Sequence, residues 1–339
     1  GDISNIIEDR GTSCKMKKGL SYIAYALSYT FWYTMSLLPM SLLYVFSDCL
    51  YLLVGKVVKY RHRVIWKNLK DSFPEKDEAE LQRIEREFYH YFCDYLVETI
   101  KLLNMSKREL RQRMVFTGIE EMNELLEKGV SCAVYLGHYG NWELITSLPL
   151  WVSEKAQCCQ VYHPLKNERF DKLFKSVREK HHALCIPMAE TLRQVVSYRQ
   201  KKQPIVIGYI ADQAPFWNNI HHWVDFLNHD TPVLTGSERI IKKTGQAVFY
   251  GDVSRVRRGY YQCDFKLITT EPAKYKDWEI TDKYFQLLEE TIRRQPELYL
   301  WSHKRWKRTR EEFNLRYDEK TGRVSLEPLD EIIRKKDKE

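Results

Sequence analysis

The chain has 339 residues, of which 44% are hydrophobic and 13% aromatic. This composition excludes a disordered protein and supplies enough apolar side chains for one large domain or two small ones. The net charge of +8 predicts attraction to an anionic partner. Such a partner is a layer of phospholipid headgroups, a nucleic acid or an acidic protein. Nucleic acid is the least supported of the three, because no zinc-finger spacing, aromatic RNA-binding signature or basic helix with heptads is present.

A long uncharged stretch lies near the N-terminus. Residues 20–55 contain no Lys, Arg or Glu, and Asp48 is their one formal charge. Because about 20 apolar residues span the hydrocarbon core of a bilayer, residues 20–58 are predicted to form a membrane anchor. Pro39 leaves open a kinked hairpin, and a helix lying flat in the interface or buried within the domain is also possible.

In the rest of the chain, segments with apolar residues at helical spacing alternate with segments typical of strands. Apolar residues recur at helical spacing over residues 80–103, and later strands are separated by helices of about ten residues. The predicted strands are 130–136, 157–162, 204–210, 246–250 and 259–269, and the predicted helices after residue 103 are 142–152, 167–181, 191–199, 237–244 and 282–294. This order predicts an α/β fold with a mainly parallel central sheet and surrounding helices.

Eight cysteines are present, without the CxxC spacing of metal and redox sites. Most lie inside apolar runs, which favours buried free thiols in a reducing compartment. Cys158 and Cys159 could form a redox pair, but adjacent residues in a strand point to opposite faces of the sheet.

The segment from Tyr135 to Glu143 reads Tyr-Leu-Gly-His-Tyr-Gly-Asn-Trp-Glu. It places His138 at the carboxyl end of a predicted strand, which is the edge where open α/β sheets bind ligands. Glu143 follows five positions later, at the start of a helix, and we expect its carboxylate to fold back onto the imidazole of His138. Such a contact fixes the tautomer of the imidazole and raises its basicity. A base of this kind can deprotonate an alcohol as the alcohol attacks a thioester, with a helix N-terminus or an arginine stabilising the oxyanion.

Further segments accompany His138-x4-Glu143 in a fixed order. They are Tyr162-His-Pro-Leu-Lys-Asn167 followed by Arg178, Ala211-Asp-Gln213, Phe226-Leu-Asn228 with Thr231 and Thr235-Gly236, and the aromatic and basic run from Tyr299 to Arg308. Together they resemble the lysophospholipid acyltransferase superfamily, and within it the late (lauroyl- and myristoyl-type) acyltransferases of lipid A biosynthesis. The resemblance covers residues 20–310. His163 stands where the family has an arginine, and a Glu-Gly-Thr-Arg-like acceptor motif is missing, which favours the lipid A or aminolipid branch.

The resemblance implies a glycerolipid acyltransferase-like fold and a role for each site residue. His138 would be the general base with Glu143 as its partner, and Arg178, Asp212, Gln213 and Asn141 would bind substrate. The acyl donor would be an acyl-acyl carrier protein acting as co-substrate, with no other cofactor, and the acceptor a hydroxyl of a lipid A precursor. The expected partners are therefore acyl carrier protein, the lipid acceptor and membrane phospholipid, and not nucleic acid.

The same resemblance implies a location, and the distribution of charged and apolar residues predicts a domain organisation. The enzyme would lie at the bacterial inner membrane, with its catalytic domain facing the cytoplasm. A polar extension over residues 1–19 would precede the anchor over 20–58, and a polar tail over 318–339 would follow the acyltransferase domain over 59–317.

Several alternatives stand beside these expectations. The acceptor could be a lyso-aminolipid, and a non-catalytic lipid-binding protein or a thioesterase are further interpretations. Arg178 could lie on a solvated basic helix face, Asp212 could form a turn, and Asn141 could be a helix cap. A histidine- and aspartate-rich segment is predicted not to bind metal, because it lacks HExxH spacing; its residues are His221, His222, Asp225, His229 and Asp230. Trp301 and Trp306, with the basic residues between them, suit either interfacial anchoring or a packed strand.

Overall fold

The computed structural model describes residues 3–337, with side chains from Gly19 onward. Helix α1 (Ile3–Ser36) and helix α2 (Met40–Tyr51) are separated at Pro39, whose φ of −63° and ψ of 149° are extended. Proline has no N–H to continue a helical ladder, which separates the end of α1 from the start of α2. Helix α2 then continues into a π-helical turn, Leu52–Val57.

The outward surface of these two helices is apolar. Met40–Val57 is long and apolar enough to cross a membrane, and only 22% of it is buried. The exposed side chains include Leu20, Ile23, Leu27, Phe31, Leu42, Val45, Leu52, Leu53, Val57 and Val58. The inward side packs Leu43 against Val97 of the next long helix. An exposed surface of this size and composition is consistent with the predicted membrane anchor.

Ten further α-helices follow in the part of the chain that the structure describes. They are α3 (His62–Ser72), α4 (Glu78–Lys101), α5 (Lys107–Arg113), α6 (Ile119–Glu127), α7 (Glu168–Arg178), α8 (Thr191–Gln200), α9 (Gly236–Thr244), α10 (Glu279–Arg294), α11 (Arg310–Arg316) and α12 (Leu329–Lys336). Within the predicted helix 142–152, residues Trp142–Leu150 form a 3₁₀ helix, and Pro149 lies within it. The side chain of Asp77 caps α4 by accepting the N–H of Glu80 at 2.8 Å.

Seven strands form the central sheet: β1 (Met114–Thr117), β2 (Cys132–Leu136), β3 (Gln157–Tyr162), β4 (Ala183–Pro187), β5 (Ile205–Ile210), β8 (Ala247–Arg257) and β9 (Tyr260–Thr269). Their order is β1-β9-β8-β2-β5-β3-β4, and every neighbouring pair is parallel except β8 and β9. Two small hairpins are separate, β6 (Trp223–Phe226) with β7 (His229–Pro232) and β10 (Tyr317–Asp318) with β11 (Arg323–Val324). The predicted α/β class with a mainly parallel sheet is confirmed.

Strand β2 lies at the centre of the sheet and is buried along its whole length. Helices cover both faces of a parallel sheet, which is why this strand reads as the continuous run Cys-Ala-Val-Tyr-Leu rather than as an alternating pattern. Among the described cysteines, six are buried free thiols and Cys49 is exposed. The centre of the sheet is thus a rigid platform for whatever follows β2 and its neighbours.

Candidate active site

A histidine and an aspartate meet at the carboxyl edge of the sheet. Strands β2 and β5 are parallel neighbours, with Leu136 paired to Ile210. His138 and Asp212 each come two residues later, so the register of the strands brings them side by side. The Nδ1 atom of His138 lies 2.7 Å from Oδ1 of Asp212, and the backbone N–H of His138 donates to Oδ2 at 3.0 Å. Asp212 therefore holds both the ring and the main chain of His138.

The predicted contact between Glu143 and His138 is wrong. The carboxylate of Glu143 instead accepts two hydrogen bonds from Arg178, from Nε at 3.0 Å and from Nη2 at 2.7 Å. Glu143 is only 6% exposed, and a buried carboxylate needs a strong partner. The last turn of α7 presents the guanidinium of Arg178 in the bidentate geometry that meets this need.

Opposing effects act on the His138–Asp212 pair. Burial favours the neutral imidazole, but the charge of Asp212 and its hydrogen bond, aided by the charge of Glu143, raise the pKa of His138 above its ordinary value. Burial likewise opposes ionisation of Asp212, but the charge and hydrogen bonds of His138 outweigh it and lower the pKa of this carboxyl. Asp212 is therefore ionised at neutral pH, and it accepts the Nδ1 proton of a neutral His138.

A pocket of about 360 Å³ opens in front of His138. Its polar groups include Glu143, Arg178 and Gln213, and its apolar lining includes Val161, Leu165, Met188, Ile210, Leu234 and Ile240. The ring of Trp142 packs edge-on against the imidazole with centroids 5.1 Å apart. The Nε2 atom of His138 lies 3.4 Å from Nε2 of Gln213, so this nitrogen faces the pocket. The pocket therefore combines a proton acceptor with walls suited to a hydrocarbon chain.

The four predicted substrate-binding residues divide into two pairs. Arg178 and Gln213 line the pocket, and their binding of substrate stays a prediction. Asp212 is 2% exposed and Asn141 is fully buried, and neither of them lines the pocket. Asp212 is held behind His138, whereas Oδ1 of Asn141 accepts the N–H groups of Glu143 and Leu144 at 3.2 and 3.3 Å. Asn141 is the N-cap of the 3₁₀ helix.

The run from Tyr299 to Arg308, with the adjacent Leu298, holds the turn after β2 that carries His138 (residues 138–141). The backbone N–H of Leu300 donates to the carbonyl of His138 at 3.2 Å, and that of Gly140 donates to the carbonyl of Leu298 at 2.9 Å. Trp301 and Arg305 are fully buried, so the interfacial anchoring considered for this run is wrong for them. These two side chains are packed, as in the alternative interpretation, but residues 300–309 form turns and bends and not the strand that it predicted.

The histidine- and aspartate-rich segment makes separate pairs. His222 contacts Asp282 at 2.6 Å, the ring of His229 stacks on Trp306 with centroids 3.8 Å apart, and Asp230 binds Arg310. Among the side chains that the structure describes, from Gly19 to Asp337, no group of three or more His, Cys, Asp or Glu residues is placed to hold a metal ion. These side chains tie the β6–β7 hairpin to its neighbours.

The structure defines an α/β enzyme-like fold with a histidine–aspartate pair at the mouth of an apolar pocket. The sequence profile of the bacterial lipid A biosynthesis acyltransferase family matches residues 13–308. The chain belongs to this family, and its activity is that of an acyltransferase of lipid A biosynthesis. A comparison with curated proteins found no match.

Proposed function

We propose that this protein is a late acyltransferase that moves a fatty acyl group from acyl-acyl carrier protein to a hydroxyl of a lipid A precursor. The observation that carries the proposal is the placement of His138, with Nδ1 on ionised Asp212 and Nε2 facing the apolar pocket. In this arrangement the imidazole is oriented and charge-stabilised by Asp212, and its second nitrogen is directed at the substrate.

The reaction is a direct transfer. Nε2 of His138 takes the proton of the acceptor hydroxyl as its oxygen bonds to the thioester carbonyl carbon. The tetrahedral intermediate then collapses, the carbon–sulfur bond breaks, and the imidazolium returns the proton to the departing thiolate. The products are the ester and the free carrier thiol. Asp212 stays ionised throughout and stabilises the transient imidazolium.

The Glu143–Arg178 ion pair completes the polar side of the pocket. Burial opposes the charge of Arg178, but the hydrogen bonds and charge of Glu143 outweigh it and raise the pKa of the guanidinium. Glu143 uses Nε and Nη2, so other N–H groups of Arg178 remain to face the pocket, where the residue is 25% exposed. We assign Arg178 to the developing oxyanion of the thioester and Glu143 to its orientation.

The surroundings of the pocket support the choice of substrates. Apolar walls suit a fatty acyl chain, and the net charge of +8 suits an acidic carrier protein and anionic phospholipid. The exposed apolar helices α1 and α2 suit an enzyme held at the inner membrane, with the catalytic domain on the cytoplasmic side, where the carrier protein is found. Trp32 of α1 packs on Phe174 of α7, which joins this surface to the helix bearing Arg178.

The proposal is tested with purified protein, a set of acyl-acyl carrier proteins, and mass spectrometry of the products. The acceptors are a lipid A precursor, a lyso-aminolipid and water alone. We expect a single added acyl ester on the lipid A precursor, dependent on the carrier thioester. Acylation of the aminolipid alone would overturn the acceptor, and release of free fatty acid without ester would indicate a thioesterase.

The roles proposed for Arg178, which binds the oxyanion, and for Glu143, which orients Arg178, are tested by a single and a double variant. R178A is expected to lower kcat by about 10²–10³-fold, the usual cost of losing an oxyanion donor. Because Glu143 acts through Arg178, the double variant E143A/R178A should be no slower than R178A. R169A, which removes an arginine of the same helix that stacks on Tyr22, is the matched control and should keep its kcat. A much slower double variant would show that Glu143 acts on His138 independently.

A further inference from the structure

A buried carboxylate lies behind the turn that carries His138 (residues 138–141), which is called the catalytic turn. Glu98, on α4, is 1% exposed and accepts three hydrogen bonds. Its Oε2 accepts from Nδ2 of Asn141 at 2.8 Å and from the hydroxyl of Tyr261 at 2.9 Å, and its Oε1 accepts from the hydroxyl of Tyr44 at 2.9 Å. Three separate parts of the chain therefore converge on one side chain: α2, strand β9 and the turn after β2.

Asn141 carries this contact into the active site. The same side chain that donates to Glu98 caps the 3₁₀ helix through the N–H groups of Glu143 and Leu144. The orientation of Asn141 thus sets the position at which Glu143 starts the helix, and Glu143 orients Arg178. A second contact from α4 reinforces the turn, since the hydroxyl of Tyr91 donates to the carbonyl of Gly140 at 2.5 Å.

Neighbouring Asp94 shows that attachment of α2 does not itself require Glu98. Asp94 lies one helical turn earlier on α4, is 4% exposed, and binds Ser47 of α2 at 2.6 Å and Arg258 at 2.7 Å. It ties the same two helices together without touching the catalytic turn. A carboxylate at position 98 is costly, because burial raises its pKa to about 7. Asp94 duplicates neither its contact with Tyr261 nor its contact with Asn141, and of these two only the contact with Asn141 leads to the pocket.

We propose that Glu98 is a positioning residue for acyl transfer, which acts by fixing Asn141 and, through it, the Glu143–Arg178 pair. The inference rests on the proposed function of that pair. A misplacement of about 1 Å in a catalytic group can cost about 10²-fold in rate, so a lost contact two side chains away from the substrate has a measurable effect.

A donor–acceptor exchange tests this. In N141D the aspartate still caps the helix, but its side chain has no N–H to donate to Glu98. The assay is run at a pH well above 7, where Glu98 is ionised and the two carboxylates repel each other. We expect kcat to fall about 10–100-fold, with KM for both substrates within about threefold of wild type. In the double variant E98Q/N141D, the amide introduced on α4 can donate to the new carboxylate, which restores the bond with its polarity reversed, and kcat should return to within about threefold of wild type.

Controls separate positioning from general stability. D94N removes a buried charge from the same helix and should lower the melting temperature while leaving kcat unchanged. Wild-type kcat in N141D, or a double variant as slow as N141D, overturns the inference. If N141D is too unstable to purify, the double variant E98Q/N141D is sufficient as a test. A folded but inactive E98Q/N141D contradicts the proposal. Absence of acyl transfer by the wild type would instead reject the proposed function.

Discussion

Replacement of His138 by alanine is expected to lower kcat/KM for acyl transfer by about 10²–10⁴-fold, the range that a positioned general base contributes. Without the imidazole, no side chain on the pocket wall is held by Asp212 to accept the proton of the hydroxyl. The measurement is ester formation on the lipid A precursor under single-turnover conditions, so that product release does not mask the chemical step.

The matched control is H229A, because His229 is also packed against an aromatic ring, that of Trp306, but lies outside the pocket. We expect this variant to lose some thermal stability and to keep its turnover. Equal rates for wild type and H138A would refute His138 as the base, whatever the acceptor.

Substitution of Asp212 by asparagine is expected to cost a similar factor, about 10²–10⁴-fold, although it removes no atom that contacts substrate. The carboxylate accepts both Nδ1–H and the backbone N–H of His138. Asparagine has one acceptor oxygen, so its amide NH₂ would face one of these donors or donate to Nδ1. Donation to Nδ1 places the ring proton on Nε2, which can then no longer act as a base.

The same variant should change the pH dependence. In the wild type, kcat/KM falls as the pH drops through the pKa of His138, which Asp212 raises above its ordinary value. In D212N the carboxylate charge is gone and burial remains, so the pKa falls and the acidic limb moves to lower pH. D252N, which neutralises a buried aspartate of β8 that binds Arg294, serves as control and should leave the limb in place. An unshifted limb in D212N would contradict the role given to Asp212.

The fold was largely predictable because most strands of a covered parallel sheet are continuous apolar runs between amphipathic helices. The hairpins β6–β7 and β10–β11 were missed, and so were two strands of the central sheet, β1 and β4. Each is only four or five residues long and lies at an edge of the sheet, where a short run gives too weak a pattern to distinguish from a loop. A helix was predicted over residues 142–152, and the structure has a 3₁₀ helix over Trp142–Leu150.

Prediction of the site failed at one pairing for an identifiable reason. Glu143 is five residues from His138 and Asp212 is 74 residues away, so a local contact was the simpler interpretation. The register that aligns β2 with β5 is a tertiary property, and it decides in favour of Asp212. Arg178 and Gln213 were predicted for the pocket, and both line it.

Burial of charged and polar side chains was the other source of error. The run containing Trp301 and Arg305 has the composition of a membrane interface, yet Nε1 of Trp301 donates to the carbonyl of Pro296 at 2.7 Å and Nη2 of Arg305 to that of Pro232 at 2.8 Å. The first acceptor is five residues away in the sequence and the second is 73 residues away. The spacing of residues in the sequence does not reveal either contact. The role of Glu98 was hidden in the same way, since in the sequence it is one acid on a charged amphipathic helix.

The most direct test of the account is the tautomer of His138, measured by ¹⁵N NMR on protein with labelled histidine at a pH above the pKa of this residue. The resonances of His138 are assigned by their loss in H138Q. The account predicts a proton on Nδ1, held by Asp212, and an unprotonated Nε2 facing the pocket. A proton on Nε2 in the neutral ring would contradict it, because the nitrogen nearest the substrate would then be unable to accept one.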